Sequence, residues 1–355
     1  FRQVGIYSPK GQLYEPQDAD QLMYYREDQK GQILQEGINE AGAMSSWIAA
    51  ATAYANHGVE MIPFYAYYSM FGFQRVGDLW WAAGDMRAKG FLMGGTAGRT
   101  TLNGEGLQHE DGHSHLMSAA VPNCRSYDPT FAYEMAVIIQ DGMKRMYEDQ
   151  ESVFYYITMM NENYHQPAMP EGAEEGIRRG MYLLRKGGRG KKRVQLMGSG
   201  TILMEVIAAA GLLKEDWGID SDIWSCPSFT ELRRDGIDCE RWNLLHPDAT
   251  PRTAYVQQCL AGQQGPAIAA TDYMRSFADQ IRPYMDRHYV VLGTDGYGRS
   301  DTRENLRRFF EVDRHYITVA ALKALADAGT IKAEQVGKAI ARYDIDSDAP
   351  NPATV

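Results

Sequence analysis

The chain has 355 residues, 36 Lys and Arg against 46 Asp and Glu, and a formal net charge of −10. That charge disfavours nucleic acid or an anionic membrane as the main partner, because phosphate-rich surfaces attract basic ones. A chain of this length exceeds one ordinary core and predicts two domains. No apolar run reaches the about 20 residues a membrane-spanning helix needs, and no signal peptide opens the chain. Four cysteines, at 124, 226, 239 and 259, make no CxxC pair and suit reduced thiols in a cytoplasmic protein. The chain starts at Phe1 without a Met, which suggests a piece of a longer product.

Residues 1–30 read as an irregular lead-in. From Gln32 to about Asn56 the sequence predicts one long helix, rich in Ala, Gly and Ser and suited to close packing. Within it Glu36 and Glu40 fall one turn apart on one face. Among small apolar neighbours Glu40 is expected to be desolvated, which raises a carboxyl pKa and prepares it to share a proton with a ring nitrogen. The alternative is that both acids lie on a solvated face. MIPFYAYYSMFGFQR (61–75) predicts a strand turning at Gly72. Its aromatics suit a core, but Phe71 at the turn could stack on a flat heterocycle. GDLWWAAGDMRAKG (77–90) predicts a helix and FLMGG (91–95) a buried strand.

That strand runs into TTLNGEGLQHEDGHSH (100–115), with three of the eight histidines, two glutamates, an aspartate and three glycines. Acid, base and amide groups on so Gly-rich a loop suit a polar ligand. His109, His113 and His115 with Glu110 could ligate a metal. The spacing is not HExxH, however, and Gly112 interrupts any helix that would align His109 with His113, so hydrogen-bonding or proton-transferring histidines fit better.

A helix is predicted over 128–147 and a strand over 153–160. RKGGRGKKR (185–193) reads as a flexible linker rather than a nucleic-acid patch. Beyond it strands at 194–200, 222–226, 267–273 and 289–298 alternate with helices at 202–215, 275–285 and 315–329, the pattern of a doubly wound parallel sheet. Ser199 in MGSGT fails the nucleophile-elbow spacing, and GTDGYGRSD (293–301) has neither phosphate-loop spacing, leaving it an exposed crossover loop or a ligand loop.

ILQEGINEAGA, FYAYYSMFGFQRVGDLWWAAGD, GGTAGRTTLNGEGLQHEDGHSH, NENYHQPAMPEGAEEGI, SFTELRRDG and LGTDGYGRSDTRENLR together resemble the decarboxylating component of the pyruvate dehydrogenase complex, of the homodimeric bacterial type related to transketolase. The resemblance implies an α/β fold of two three-layer, doubly wound domains of the transketolase type. Residues 1–184 would be a thiamine pyrimidine-binding middle domain, 185–193 the linker, and 194–355 a transketolase C-terminal-like domain.

It also implies thiamine diphosphate and Mg2+ as cofactors. The family's GDG…NN signature is not in this sequence, so no metal ligands are expected in this chain. Glu40 matches the glutamate on the aminopyrimidine ring, whose proton favours the imino form that activates the thiazolium carbon. Phe71 matches the aromatic stacked on that ring. Tyr68 and His109 match residues that contact substrate or intermediate, with Glu105 and Arg75 nearby. The implied reaction is oxidative decarboxylation of pyruvate with reductive acetylation of the lipoyl group of the dihydrolipoyl acetyltransferase component, by a cytoplasmic homodimer. A transketolase, another 2-oxo acid dehydrogenase, or an inactive interface module are the alternatives. In the family two subunits complete each site, so the isolated chain is expected to be inactive.

Overall fold

A computed structural model describes residues 4–17 and 25–355; part of the expected lead-in lies outside them. In chain order the elements are β1 (Ile6–Tyr7), β2 (Glu27–Asp28), α1 (Glu40–Ala51), α2 (Ala53–His57), β3 (Phe64–Tyr68), α3 (Ser69–Asp85), β4 (Phe91–Gly95), α4 (Ser114–Ser118), β5 (Cys124–Tyr127), α5 (Ala132–Met143), β6 (Phe154–Thr158), α6 (Glu174–Arg179), β7 (Tyr182–Arg185), β8 (Arg193–Gly198), α7 (Ile202–Trp217), β9 (Asp220–Ser225), α8 (Phe229–Leu245), α9 (Tyr255–Leu260), β10 (Ala267–Ala270), α10 (Arg275–Asp279), β11 (Tyr289–Leu292), α11 (Arg303–Phe309), α12 (Arg314–Asp327) and α13 (Ala333–Arg342). Among the described residues no helix is long and apolar enough to cross a membrane.

The first main sheet is parallel, in the order β3-β4-β6-β5. Its central strand β6 is buried on both faces, and the two-residue period of a strand sorts its side chains. Phe154 and Tyr156 pack with Met44, Trp47 and Trp80 of α1 and α3. Tyr155 and Ile157 pack on the opposite face with Ile138 and Ile177 of α5 and α6. The second sheet, β11-β10-β8-β9-β7, is parallel except for β7, which runs antiparallel to β9. It too divides two apolar layers, one around Leu196, Ile223, Ile268 and Leu322, the other around Met197, Trp224, Ala269 and Phe277. Each sheet with its helices forms the three-layer α/β arrangement expected.

Local boundaries moved for physical reasons. The long helix expected from Gln32 starts only at Glu40, because Gly37 takes φ +69° and Asn39 caps the helix by accepting the Gly42 N–H at 3.1 Å. Glu36 is therefore not on the helix, and instead accepts the Ser46 hydroxyl at 2.6 Å. The run 61–75 is not one strand: β3 ends at Tyr68, and Ser69 opens α3, in which Gly72 lets the Tyr67 ring pack against the backbone. The basic segment is pinned rather than loose. Gly187 and Gly190 donate backbone N–H groups to Asp222 and Asp220 at 2.8 and 2.6 Å, and Arg193 pairs with Asp222 at 2.8 Å. Because β7 already belongs to the second sheet, this segment is a loop across that sheet's edge.

Candidate active site

A cavity of about 680 Å3 opens where β3 and β4 end, the carboxyl edge at which open parallel sheets receive ligands. Glu40, Tyr68, Phe71, Arg75 and His109 line it, with Tyr65, Tyr67, Gly95, Thr96 and Gln108. Glu105 lies at its rim, its Oε2 4.0 Å from His109 Nε2. The fold thus brings five of the six residues singled out in the sequence to the cavity wall, with Glu105 beside His109.

Each arrives on a different piece of backbone. Glu40 occupies the first turn of α1, where exposed N–H groups favour a carboxylate. Tyr68 is the hinge residue between β3 and α3. Phe71 and Arg75 follow in α3, four residues apart and so on one face. Arg75 Nη1 donates to Glu40 Oε1 at 2.7 Å, and its guanidinium carbon lies 4.1 Å from the centre of the Phe71 ring. The Glu40 side chain is 17% exposed, so it is partly sheltered and ion-paired rather than enclosed by apolar groups, as the sequence had suggested. Its charge, with that of Glu36, adds to burial in pushing the Tyr65 hydroxyl up to about 12.

His109 comes from the loop between β4 and α4. Its ring meets Phe71 at 5.1 Å and Tyr68 at 5.5 Å between centroids, both edge-on. Its Nδ1 is buried and has no hydrogen-bond partner among the described residues. Next to the cavity Thr96 holds φ +52°, a conformation that is costly for a β-branched residue and that recurs at functional sites.

The other two histidines of the loop do different work. His113 Nε2 lies 2.8 Å from Gln74 Nε2 and ties the loop to α3. His115 is fully buried between Ser126 Oγ at 2.6 Å and Thr158 Oγ1 at 3.0 Å. Burial pushes its pKa down to about 4, so it is a neutral structural link. Among the described residues no three His, Cys, Asp or Glu side chains cluster as metal ligands. Ser199 is likewise structural, donating to buried Asp128 at 2.7 Å.

Sequence reasoning passed over Thr96 and Gln108. The signal for Thr96 was its place just after a buried parallel strand; Gln108 had no signal besides its neighbour His109. A carboxylate, an aromatic ring and an imidazole around one cavity suit a flat nitrogen heterocycle carrying a reacting group.

Residues 1–167 match the family described as the pyruvate dehydrogenase E1 component middle domain, and residues 180–313 the transketolase-like TK C-terminal domain. The chain is 66% identical to a pyruvate dehydrogenase E1 component of Cupriavidus necator, over 100% of this chain and 40% of that protein. It is 65% identical to one of Pseudomonas aeruginosa, over 99% of this chain and 40% of that protein. The chain therefore spans about two fifths of the length of these relatives. Among solved structures it resembles transketolase from Campylobacter jejuni, with a TM-score of 0.61 at 16% identity, over 84% of this chain and 40% of that one, a likeness of fold.

Proposed function

The chain belongs to the pyruvate dehydrogenase E1 component family, and from that premise we propose that its cavity is the pyrimidine-binding half of a thiamine-diphosphate site for oxidative decarboxylation of pyruvate. The observation that carries this reading is the convergence on one cavity of Glu40, the Arg75 that pairs with it and stacks on Phe71, and His109.

The residues fit an aminopyrimidine. Glu40 would meet a ring nitrogen and Phe71 a ring face, with the His109 imidazole beside Phe71. When bound, thiamine diphosphate supplies the electron sink that carbonyl decarboxylation requires. The protein's share is protonic and positional. Glu40 would hold or give up a proton at its carboxylate beside a ring nitrogen, while Arg75 fixes the carboxylate's direction. His109, which lines the cavity, would present its imidazole to the substrate. Tyr68 and Phe71 wall the cavity.

Mg2+ and the diphosphate would be held by residues beyond the matched portion. The acetyl group would pass to a lipoyl group of the acetyltransferase component, in a cytoplasmic homodimer. Relatives that bear the pyruvate dehydrogenase name at such identity support pyruvate over a transketolase's sugar phosphate.

The test is CO2 release from pyruvate, coupled to lipoyl acetylation, by the full-length protein supplied with thiamine diphosphate and Mg2+. The reading expects turnover with pyruvate and none with xylulose 5-phosphate plus an aldose acceptor. Turnover of the sugar phosphate instead would overturn it.

A further inference from the structure

The Gly-rich loop 293–301 found no role in the cavity, yet it packs directly on the segment that carries His109. Arg299 donates its backbone N–H to Glu110 Oε2 at 2.7 Å. Arg99, nearly fully buried, reaches from the start of that segment to the carbonyls of Thr294 and Gly296. Asp272, at the end of β10, accepts from the N–H and hydroxyl groups of both Thr100 and Thr101 at 2.6–3.1 Å. Met274 donates its N–H to Gly112 O at 2.8 Å. The His109 segment is thus tied at both ends to the second sheet's loops.

The tie nearest the chemistry is Glu110, the residue after His109. Its side chain is fully buried, and one oxygen, Oε1, has no hydrogen-bond partner among the described residues. Gly298 is required for the approach: a Cβ there would come within 2.6 Å of Glu110 Oε2 and 3.1 Å of Leu107 Cα. Burial raises the Glu110 carboxyl to about 7, against the Arg299 N–H and Arg99, which lower it. An acid buried at that expense, with one hydrogen bond to its carboxylate among the described residues and that one across the seam between the two sheets, suits a device that fixes geometry rather than one that maximises stability.

The geometry points to Glu110 as a positioning residue: through the Arg299 N–H the C-terminal unit's loop 293–301 sets where His109 stands in the cavity. This rests on the proposed role of His109 at the reacting group and extends it to a part of the chain that does not touch the cavity.

The experiment measures steady-state pyruvate decarboxylation, with an artificial electron acceptor, in the full-length protein with thiamine diphosphate and Mg2+. Four variants are compared: Glu110→Ala, Glu110→Gln, Gly298→Ala, and the Gly298→Ala/Glu110→Ala double variant. Glu110→Ala is expected to lower kcat at least tenfold while the KM for pyruvate and the half-saturating cofactor concentration stay within twofold. Glu110→Gln, which keeps an acceptor for the Arg299 N–H and the shape of the side chain, should recover to within threefold of wild type. Gly298→Ala should lower kcat, and the double variant should fall no further than the worse single one, because both break the same contact.

Wild-type kcat in Glu110→Ala, no rescue by Gln, or fully additive losses would each overturn the inference. Glu110→Gln is isosteric and Gly298→Ala acts from the other side, so a poorly folding Ala variant leaves the inference testable. A Glu40→Gln control separates the two readings: if it stays fully active the cavity's proposed function fails, whereas an inactive Glu40→Gln beside wild-type-like Glu110 and Gly298 variants sinks the positioning role alone.

Discussion

Arg75 Nη1 stands 2.7 Å from Glu40 Oε1 while the same guanidinium covers the Phe71 ring at 4.1 Å, so one cation orients both the acid and the aromatic of the cavity. Arg75 is half exposed, which limits the pair's contribution to stability; its effect belongs to the direction of the carboxylate. Arg75→Met in the full-length protein is expected to lower kcat about tenfold, equivalent to about 1.4 kcal/mol of barrier. Arg75→Lys recovers little, since an ammonium cannot both pair in plane and stack. Steady-state kinetics would check this, and a wild-type kcat in Arg75→Met would remove the orienting role.

Phe71 presents its ring at the first turn of α3, one edge against His109. Replacing it by Leu keeps apolar bulk and removes the π face. Stacking of this kind contributes about 0.5–1.5 kcal/mol beyond area burial. Phe71→Leu should therefore weaken thiamine diphosphate binding about three- to tenfold. Calorimetric titration of the full-length protein would measure it; an unchanged Kd places the ring outside the cofactor's contact.

Asp128 gives a pH prediction. It is fully buried at the seam between the two sheets and accepts from Ser199, Thr158 and Tyr273 at 2.7, 2.7 and 3.3 Å. Burial is the largest influence and raises its carboxyl from 3.8 to about 7; the Ser199 and Thr158 hydroxyls pull it down, Asp272 pushes it up, and Tyr273 lowers it. Below pH 3.8 the group is protonated in both states. Between 3.8 and about 7 the folded state holds a proton that the unfolded chain has lost, so stability falls as pH rises. Above 7 the full penalty is present, on the order of 4 kcal/mol at most. Asp128→Asn carries no such charge. Its melting temperature relative to wild type should therefore be higher at pH 8 than at pH 5, by scanning fluorimetry. An equal offset at both pH values would contradict the assignment.

Short-range chemistry was legible in the sequence, and so were the long periodic runs. Strand β6 and helices α7 and α12 stand close to where alternation and helical periodicity put them. The start of α1 was misread because helix-favouring residues at 32–38 hide a left-handed Gly37, and only the Asn39 cap marks the true start. β3 and α3 merged into one expected strand because Phe, Tyr and Met suit either state, and tertiary packing of Tyr67 on Gly72 decides between them. The cavity's residues stood out by type and by family likeness. The seam did not: Asp272 lies 171 and 172 positions from the threonines it holds, and Arg299 lies 189 from Glu110. No local pattern reports contacts at that separation. Helices α8 and α13 were passed over because they are rich in charged residues, although Val336 and Ala339 of α13 fall three residues apart on one buried face.

Hydrogen–deuterium exchange at the thiazolium carbon of thiamine diphosphate, bound to the full-length protein, tests the central claim most directly. Glu40 opens α1, where Ala is well tolerated, so Glu40→Ala should keep its fold and melting temperature. The account predicts that exchange slows at least a hundredfold in Glu40→Ala while the cofactor remains bound at saturating concentration. An exchange rate equal to wild type in that saturated, folded variant would contradict it.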